Sequence, residues 1–158
     1  MIKQSISSNA KLEYPDGFCQ MDDNELCRYN AHMCNRWGVK SDDGKTIISI
    51  GWTDPVNAFI SVIVNTRSLL NGFCKYARKN YKGFEQGNSV SKEVCGCEAK
   101  GFTFSLQRSR DGAPLHGEII AAAIDGRYYI FKYITASDDR FFCSQAFNMV
   151  LSTLDIKE

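Results

Sequence analysis

The sequence predicts an α+β fold: an α/β/α sandwich in which a mainly antiparallel sheet is flanked by helices. Three observations carry this. In GEIIAAAIDGRYYIFKYIT, residues 117–135, an Asp125-Gly126 turn joins two arms that are apolar on both faces, so the hairpin has to be covered on both sides. Two other segments, 66–83 and 137–154, carry apolar residues at helical spacing. Finally, successive strands are separated by turns of a few residues, which antiparallel neighbours accept and parallel ones do not.

The elements follow in order. Met1 to Asn9 is polar and is expected to be a loose N-terminal segment. Lys11 to Tyr14 reads as a short strand ending in the turn Pro15-Asp16-Gly17. Leu26 to Met33 matches no period. Arg36–Lys40 and Lys45–Thr53 form a hairpin around SDDG, with Ile48, Ile50 and Trp52 on one face. Asn57 to Val64 is β-branched and apolar and is expected to be a strand.

Helical spacing then begins. Leu69, Leu70, Phe73, Cys74 and Ala77 make one apolar stripe, with Asn65 or Thr66 as the cap and Gly83 as the stop. Gly72 inside this helix costs about 1 kcal/mol relative to alanine. Ser89–Val94 and Gly101–Arg108 read as strands, the second presenting Phe102, Phe104 and Leu106 on one face only. In the two-faced hairpin, Ile119, Ala121 and Ala123 alternate with Ile120, Ala122 and Ile124. On its second arm Tyr129, Phe131 and Tyr133 alternate with Tyr128, Ile130 and Ile134. The last helix is capped by Ser137 and buries Cys143, Phe147, Val150 and Leu154, with Phe142 and Ala146 beside them.

Composition bounds the function. The 158 residues are expected to form one domain, long enough to bury about two-thirds of the unfolded surface without a disulfide or metal. A net charge of +1 argues against nucleic acid as a partner. Arg108, Arg110 and Arg127 near hairpin ends read as a solvated rim. No segment reaches transmembrane length, and MIKQSISSNAKLEYP has no apolar core of a secretory signal. Seven cysteines without an export signal fit reduced thiols in a cytoplasmic protein, although a leader trimmed from the chain would change that expectation.

The order of elements resembles the PsbP-like superfamily, through LEYPDGF (Leu12–Phe18), a mid-chain helix, a meander, and the closing YYIFKYITASDDRFFCSQAFNMVLSTL. That fold is an α/β/α sandwich shared by an extrinsic subunit of photosystem II, a Ran-binding nuclear import factor and many bacterial proteins. The resemblance covers nearly the whole chain and implies a soluble, bacterial-type domain that binds a protein partner without catalysis or cofactor. No functional residue of the family transfers, because the histidine and carboxylate ligands of some members have no counterpart here.

Cys95-Gly96-Cys97 and His32-x-Cys34 would assemble a Cys₃His metal site if their segments were adjacent strands, which makes a metal- or thiol-dependent protein using Cys34, Cys95, Cys97 and His32 the alternative function. Against it, the chain has no C-x-x-C pair, and free cysteine packs as a small hydrophobe. Cys74 and Cys143 fall on helix core stripes and are expected to be inert. Cys27 and Cys34 are the candidates for a reactive thiol, and His116 reads as a solvated loop residue. No glycine-rich phosphate loop is present. Arg28, Tyr29, Arg36 and Trp37 combine residue types enriched at interface hot spots and are the candidate partner-binding set, against the competing reading that Trp37 and Tyr29 fill one end of the core.

Overall fold

The computed structural model describes residues 1–28, 33, 35–57, 65–136 and 138–157. At its centre is the hairpin around Asp125-Gly126, both turn residues having positive φ (51° and 70°), as a primed two-residue turn requires. Its arms are β8 (Pro114–Ile124) and β9 (Arg127–Thr135), paired in register from His116–Thr135 to Ile124–Arg127. Proline at the first position of β8 withholds no ladder hydrogen bond from the strand interior.

The chain enters through β1 (Ile2–Ser5), β2 (Ala10–Tyr14), β3 (Phe18–Gln20) and the short α1 (Asp23–Cys27). It continues through β4 (Asn35–Ser41) and β5 (Thr46–Trp52), then α2 (Thr66–Asn80). The long β6 (Lys82–Val94) and β7 (Cys97–Gln107) lead into β8 and β9, and α3 (Arg140–Thr153) and β10 (Asp155–Ile156) follow. One antiparallel sheet of seven strands runs β3-β4-β5-β9-β8-β7-β6, and a second of three runs β1-β2-β10. The α2 crossover carries the chain from β5 to the far edge, and the meander returns it so that β9 closes against β5.

The two faces of the sheet have separate cores, as the two-faced hairpin demands. Ile120, Ala122, Tyr129, Phe131 and Tyr133 face α3 and β2, packing with Phe147, Val150 and Leu12. Ile119, Ala121 and Ile130 face α2 with Phe102, Phe104 and Leu106. The fold is therefore α+β, with a helix on each side of a mainly antiparallel sheet. Ala123 at the hairpin end is exposed.

Several local expectations are corrected. The N-terminal segment is not loose throughout: β1 pairs with β2 from Ile2–Tyr14 to Ser5–Lys11, its backbone satisfied by the ladder despite its polar side chains. The cap of α3 is Asp139, whose carboxylate accepts from Phe142 N at 3.0 Å; Ser137 lies outside the described residues. Phe142, expected beside the apolar stripe, is half exposed, and Phe141 is 73% exposed. On α2, Asn65 caps through a reciprocal box with Ser68, and the helix stops at Tyr81; Gly83, with φ +67°, lies inside β6. The strand predicted over 89–94 is thirteen residues long, with two register shifts against β7 that twist this outer edge. The strand expected over 57–64 lies outside the described residues beyond Asn57.

Two glycines test this packing in opposite directions. A methyl on Gly101 would collide with the backbone of Ile119 on β8, so Gly101→Ala should destabilise by about 3 kcal/mol or more. Gly72, in the middle of α2, has nothing within 4 Å of an added methyl, and Gly72→Ala should stabilise by about 0.5–1 kcal/mol. Denaturant unfolding of both variants reads the two signs; a neutral Gly101→Ala would contradict the sheet register.

Candidate ligand-binding site between the second helix and the sheet

An unusual residue lies on the α2 face of the central hairpin. Lys132 occupies the middle of β9, its alternation placing it with Ile130 and Ile134, and it is 9% exposed. Its register partners are Ile119 on β8 and Ser49 on β5. Ser49 is itself 1% exposed, and its hydroxyl has no hydrogen-bond partner among the described residues. Above the lysine, Phe73 of α2 holds its ring centroid 5.2 Å from Lys132 Nζ, a cation–π contact, while packing against Phe84, Phe102 and Phe104. Burial brings the Lys132 ammonium down to about 8.

The lysine lies in the wall of a cavity of about 620 Å³ between α2 and the sheet. Leu69, Phe73, Leu106, Ile119, Ile130 and Ile134 make it apolar. The charged residues lining it are Arg28, Lys75 and Lys79, all exposed, and the buried Lys132; among the described residues no carboxylate or thiol lines it. Its size lies within the range of small-molecule sites, roughly 300–1,000 Å³. α2 builds the roof: its stripe turns Phe73 and Leu69 inward, and Gly72 leaves open space between them. The pattern of alternation in 127–135 does not by itself single out Lys132. The available signal was a lysine in IFKYI, on a strand whose two faces are both buried.

Of the candidate partner-binding set, Arg28, Arg36 and Trp37 are among the described residues. Trp37 is 2% exposed, its ring tilted against Tyr14 in the α3-side core, so the core reading accounts for it. Arg36 lies on the opposite face of β4, with Nε 3.1 Å from Asp23 Oδ1. Arg28 is exposed at the cavity edge, and Tyr29 lies outside the described residues.

Of the four residues of the candidate metal centre, Cys95 and Cys97 are described. Cys95 and Gly96, with φ of 52° and 75°, are the two turn residues of the β6–β7 hairpin, and Val94 pairs with Cys97. Cys95 and Cys97 therefore do not lie two apart on one strand face. Cys95 donates its thiol to the Leu154 carbonyl at 3.1 Å, and burial raises its pKa. Cys97 packs against the α3-side core. His32 and Cys34 lie outside the described residues, among which no group of three or more potential ligands is clustered. Cys143 is buried in a hydroxyl–thiol network, 3.3 Å from Thr46 Oγ1 and 3.4 Å from Thr135 Oγ1.

His116 is in β8 and not in a loop, half-buried, with Nε2 2.9 Å from Arg140 Nη2. The guanidinium only donates, so the imidazole accepts there, and burial followed by the Arg140 charge lowers its pKa. On the same face, Lys92 Nζ lies 2.6 Å from the buried Glu118 Oε2, an ion pair by distance without the angles of a hydrogen bond. Arg108 forks onto Asp111, and Arg127 faces Asp125 at 3.9 Å, so two of the three rim arginines have carboxylate partners within their own hairpins.

Two measurements follow. Iodoacetamide on the native protein at pH 8 should label the exposed Cys19 and Cys27 first, the hydrogen-bonded Cys95 more slowly, and the buried Cys74 and Cys143 last, read by peptide mass spectrometry. Fast labelling of Cys143 would contradict its burial. The second concerns the lysine. The unfolded chain keeps this proton to the ordinary value of 10.5, whereas the folded chain releases it near 8. The buried cation thus costs stability below pH 8, and the cost fades as pH rises towards 10.5. Lys132→Met should raise stability at pH 7 by roughly 1–3 kcal/mol, with the gain shrinking by pH 10, measured as the difference between variant and wild-type melts.

No family model matches the sequence, and no curated relative matches it. Solved structures do. Cyanobacterial PsbP (CyanoP) from Synechocystis sp. PCC 6803 superposes with a TM-score of 0.64 at 13% identity, over 94% of this chain and 87% of that one. A Bacteroides thetaiotaomicron protein gives 0.64 at 11% identity, over 99% of this chain but 48% of its own length. A Pseudomonas aeruginosa protein of unknown function, described as a putative regulator, gives 0.57 at 16% identity, over 100% and 98%. At these identities the likeness is one of backbone, and the chain has a PsbP-like fold.

Proposed function

We propose that this is a non-catalytic accessory domain that works by binding, with the cavity under α2 as its recognition site. The single observation that carries the reading is the composition of that cavity: an enclosure of about 620 Å³ whose described lining is largely apolar, with the buried Lys132 in its wall and cations at its edge. Sites that hold a ligand combine an apolar body with a few placed polar groups.

The accessory reading is also the one the resemblance implies, and a solved protein of this fold is described as a putative regulator. Of the candidate partner-binding residues, Arg28 is placed to contribute, because it stands exposed at the cavity mouth beside Lys75, Tyr76 and Lys79 of α2. A partner protein would meet the domain on this face.

The neutral dye N-phenyl-1-naphthylamine tests whether the cavity binds at all. Wild-type protein should show a saturable fluorescence rise. Gly72→Leu, whose added side chain enters open space on the cavity side of α2, should weaken binding by about tenfold while leaving the fold intact. Absence of saturable binding, or identical binding by Gly72→Leu, would sink the reading.

A further inference from the structure

The charge of this chain is unevenly placed. Residues 55–84 hold five lysines and arginines and no acid, so the rest of the chain carries four more acids than cations. Arg67, Lys75, Arg78 and Lys79 of α2 and Lys82 at the start of β6 are all exposed, and among the described residues none has a carboxylate within ion-pair distance. Lys75 has like charges three and four residues on, a spacing that costs a helix stability. Arg78 and Lys79 suit the C-terminal end of the helix dipole, but Arg67, in the first turn, opposes it.

Beside this row lies an open groove lined by Asn71, Cys74, Lys75, Arg78 and Lys79 of α2 and by Gln86 of β6. β6 is the outermost strand of the seven-stranded sheet, paired with β7 and with no described strand on its other side. Val94 and Cys97 flank the two-residue turn and so exchange both ladder hydrogen bonds. Alternation then turns the N–H and C=O groups of Ser89, Ser91 and Glu93 away from β7. The two register shifts lie between Lys82 and Ser89, so Ser89–Val94 keeps a regular edge.

We propose that this face binds an extended acidic segment of a partner protein, which adds to β6 as a further strand and sets carboxylates against Lys75, Arg78 and Lys79. This rests on the reading of the domain as a binding module and names the partner's chemistry, without requiring that the cavity be filled. An open ladder is complementary to a polypeptide backbone, and neither a membrane nor a nucleic acid offers a matching one. The acid excess elsewhere on the chain offsets long-range attraction to a large polyanion, whereas a segment lying on α2 is within a Debye length, about 8–10 Å, of the cationic row. Charge also sets the orientation. Glu93 stands opposite Glu98 near the hairpin tip, and the cations gather at the α2 end, so the acidic part of the segment lies towards α2. A strand of ten residues spans about 33 Å, enough to cover both the regular edge and the groove.

Fluorescence anisotropy of the full chain with a labelled decapeptide of alternating glutamate and threonine tests this. Two controls replace its glutamates by lysine or its threonines by proline; the second keeps the charge and loses half of the backbone donors. Wild-type protein should bind the glutamate–threonine peptide saturably and about tenfold more tightly than either control. Raising salt from about 50 to 500 mM should weaken that binding about tenfold, and Lys75→Glu combined with Lys79→Glu should do the same at low salt. Ser91→Pro removes an outward N–H and spares the β7 ladder, so it should bring the glutamate–threonine peptide down to the affinity of the proline peptide. Thermal melts show whether the variants are folded, and the comparison of peptides on wild type needs no variant.

Equal binding of the threonine and proline peptides by wild type would overturn strand addition, and binding that ignores salt would overturn the role of charge. Capture by phosphatidylserine vesicles or by oligothymidylate in place of the acidic peptide would overturn the choice of partner. If N-phenyl-1-naphthylamine binds and the acidic peptide does not, this inference falls and the cavity reading stands; if the peptide binds and the dye does not, the reverse holds.

Discussion

The constraint on which the structure depends is that the β8–β9 hairpin is apolar on both faces. A sheet with one wet face needs one layer of cover; this one needs two. α3 with β2 supplies one layer, through Phe147, Val150, Leu12 and Tyr14, and α2 supplies the other, through Phe73, Cys74 and Leu69. The order of strands follows from the same need. β5 and β7 flank the hairpin on either side, and the α2 crossover lets the chain reach the far edge and come back. Close backbone approach inside the sheet completes the arrangement. Gly101 and Gly117 have no room for a side chain, because Ile119 on one neighbouring strand, and Tyr133 with Phe104, stand in the way.

The two layers are not equally tight. On the α3 side, large residues interlock: Tyr129 stacks on Trp52 and Phe131, and Tyr133 meets Phe147 at 5.0 Å between ring centroids. The α2 side holds an aromatic cluster around Phe73 at one end and opens into the cavity beside it. Gly72 widens the gap, and Lys132 puts a charge where packing would favour another aliphatic residue. Both residues act against stability, glycine through backbone entropy and lysine through desolvation. Departures from the best-packed solution that coincide at one place are expected where a fold carries function.

The thiols illustrate how one residue type takes different parts. In Cys95 the sulfur belongs to a hairpin turn and is tied to the Leu154 carbonyl, linking that turn to the C-terminal end of α3. Cys143 completes a hydroxyl network between β5, β9 and α3. Cys74 lies on the buried stripe of α2. Cys74 and Cys143 do what a small, weakly polar side chain does inside a protein, while Cys95 stays exposed at its turn.

The sequence by itself determined the fold class, both long helices and the central hairpin, because each is written in local periodicity: alternation in 117–135, helical spacing in 66–80 and 140–153, and the Asp-Gly turn. It did not reveal β1, whose polar residues are held by backbone pairing to β2, a contact that periodicity does not encode. It left open whether Trp37 fills the core or faces a partner, since Trp37 is an aromatic on a strand whose neighbours are not yet known; packing against Tyr14 decided it. The cavity belonged wholly to tertiary structure. Lys132 becomes unusual only when β9 takes the middle of the sheet and α2 lies across it, so that an ordinary lysine in the chain loses its water and gains an apolar cavity.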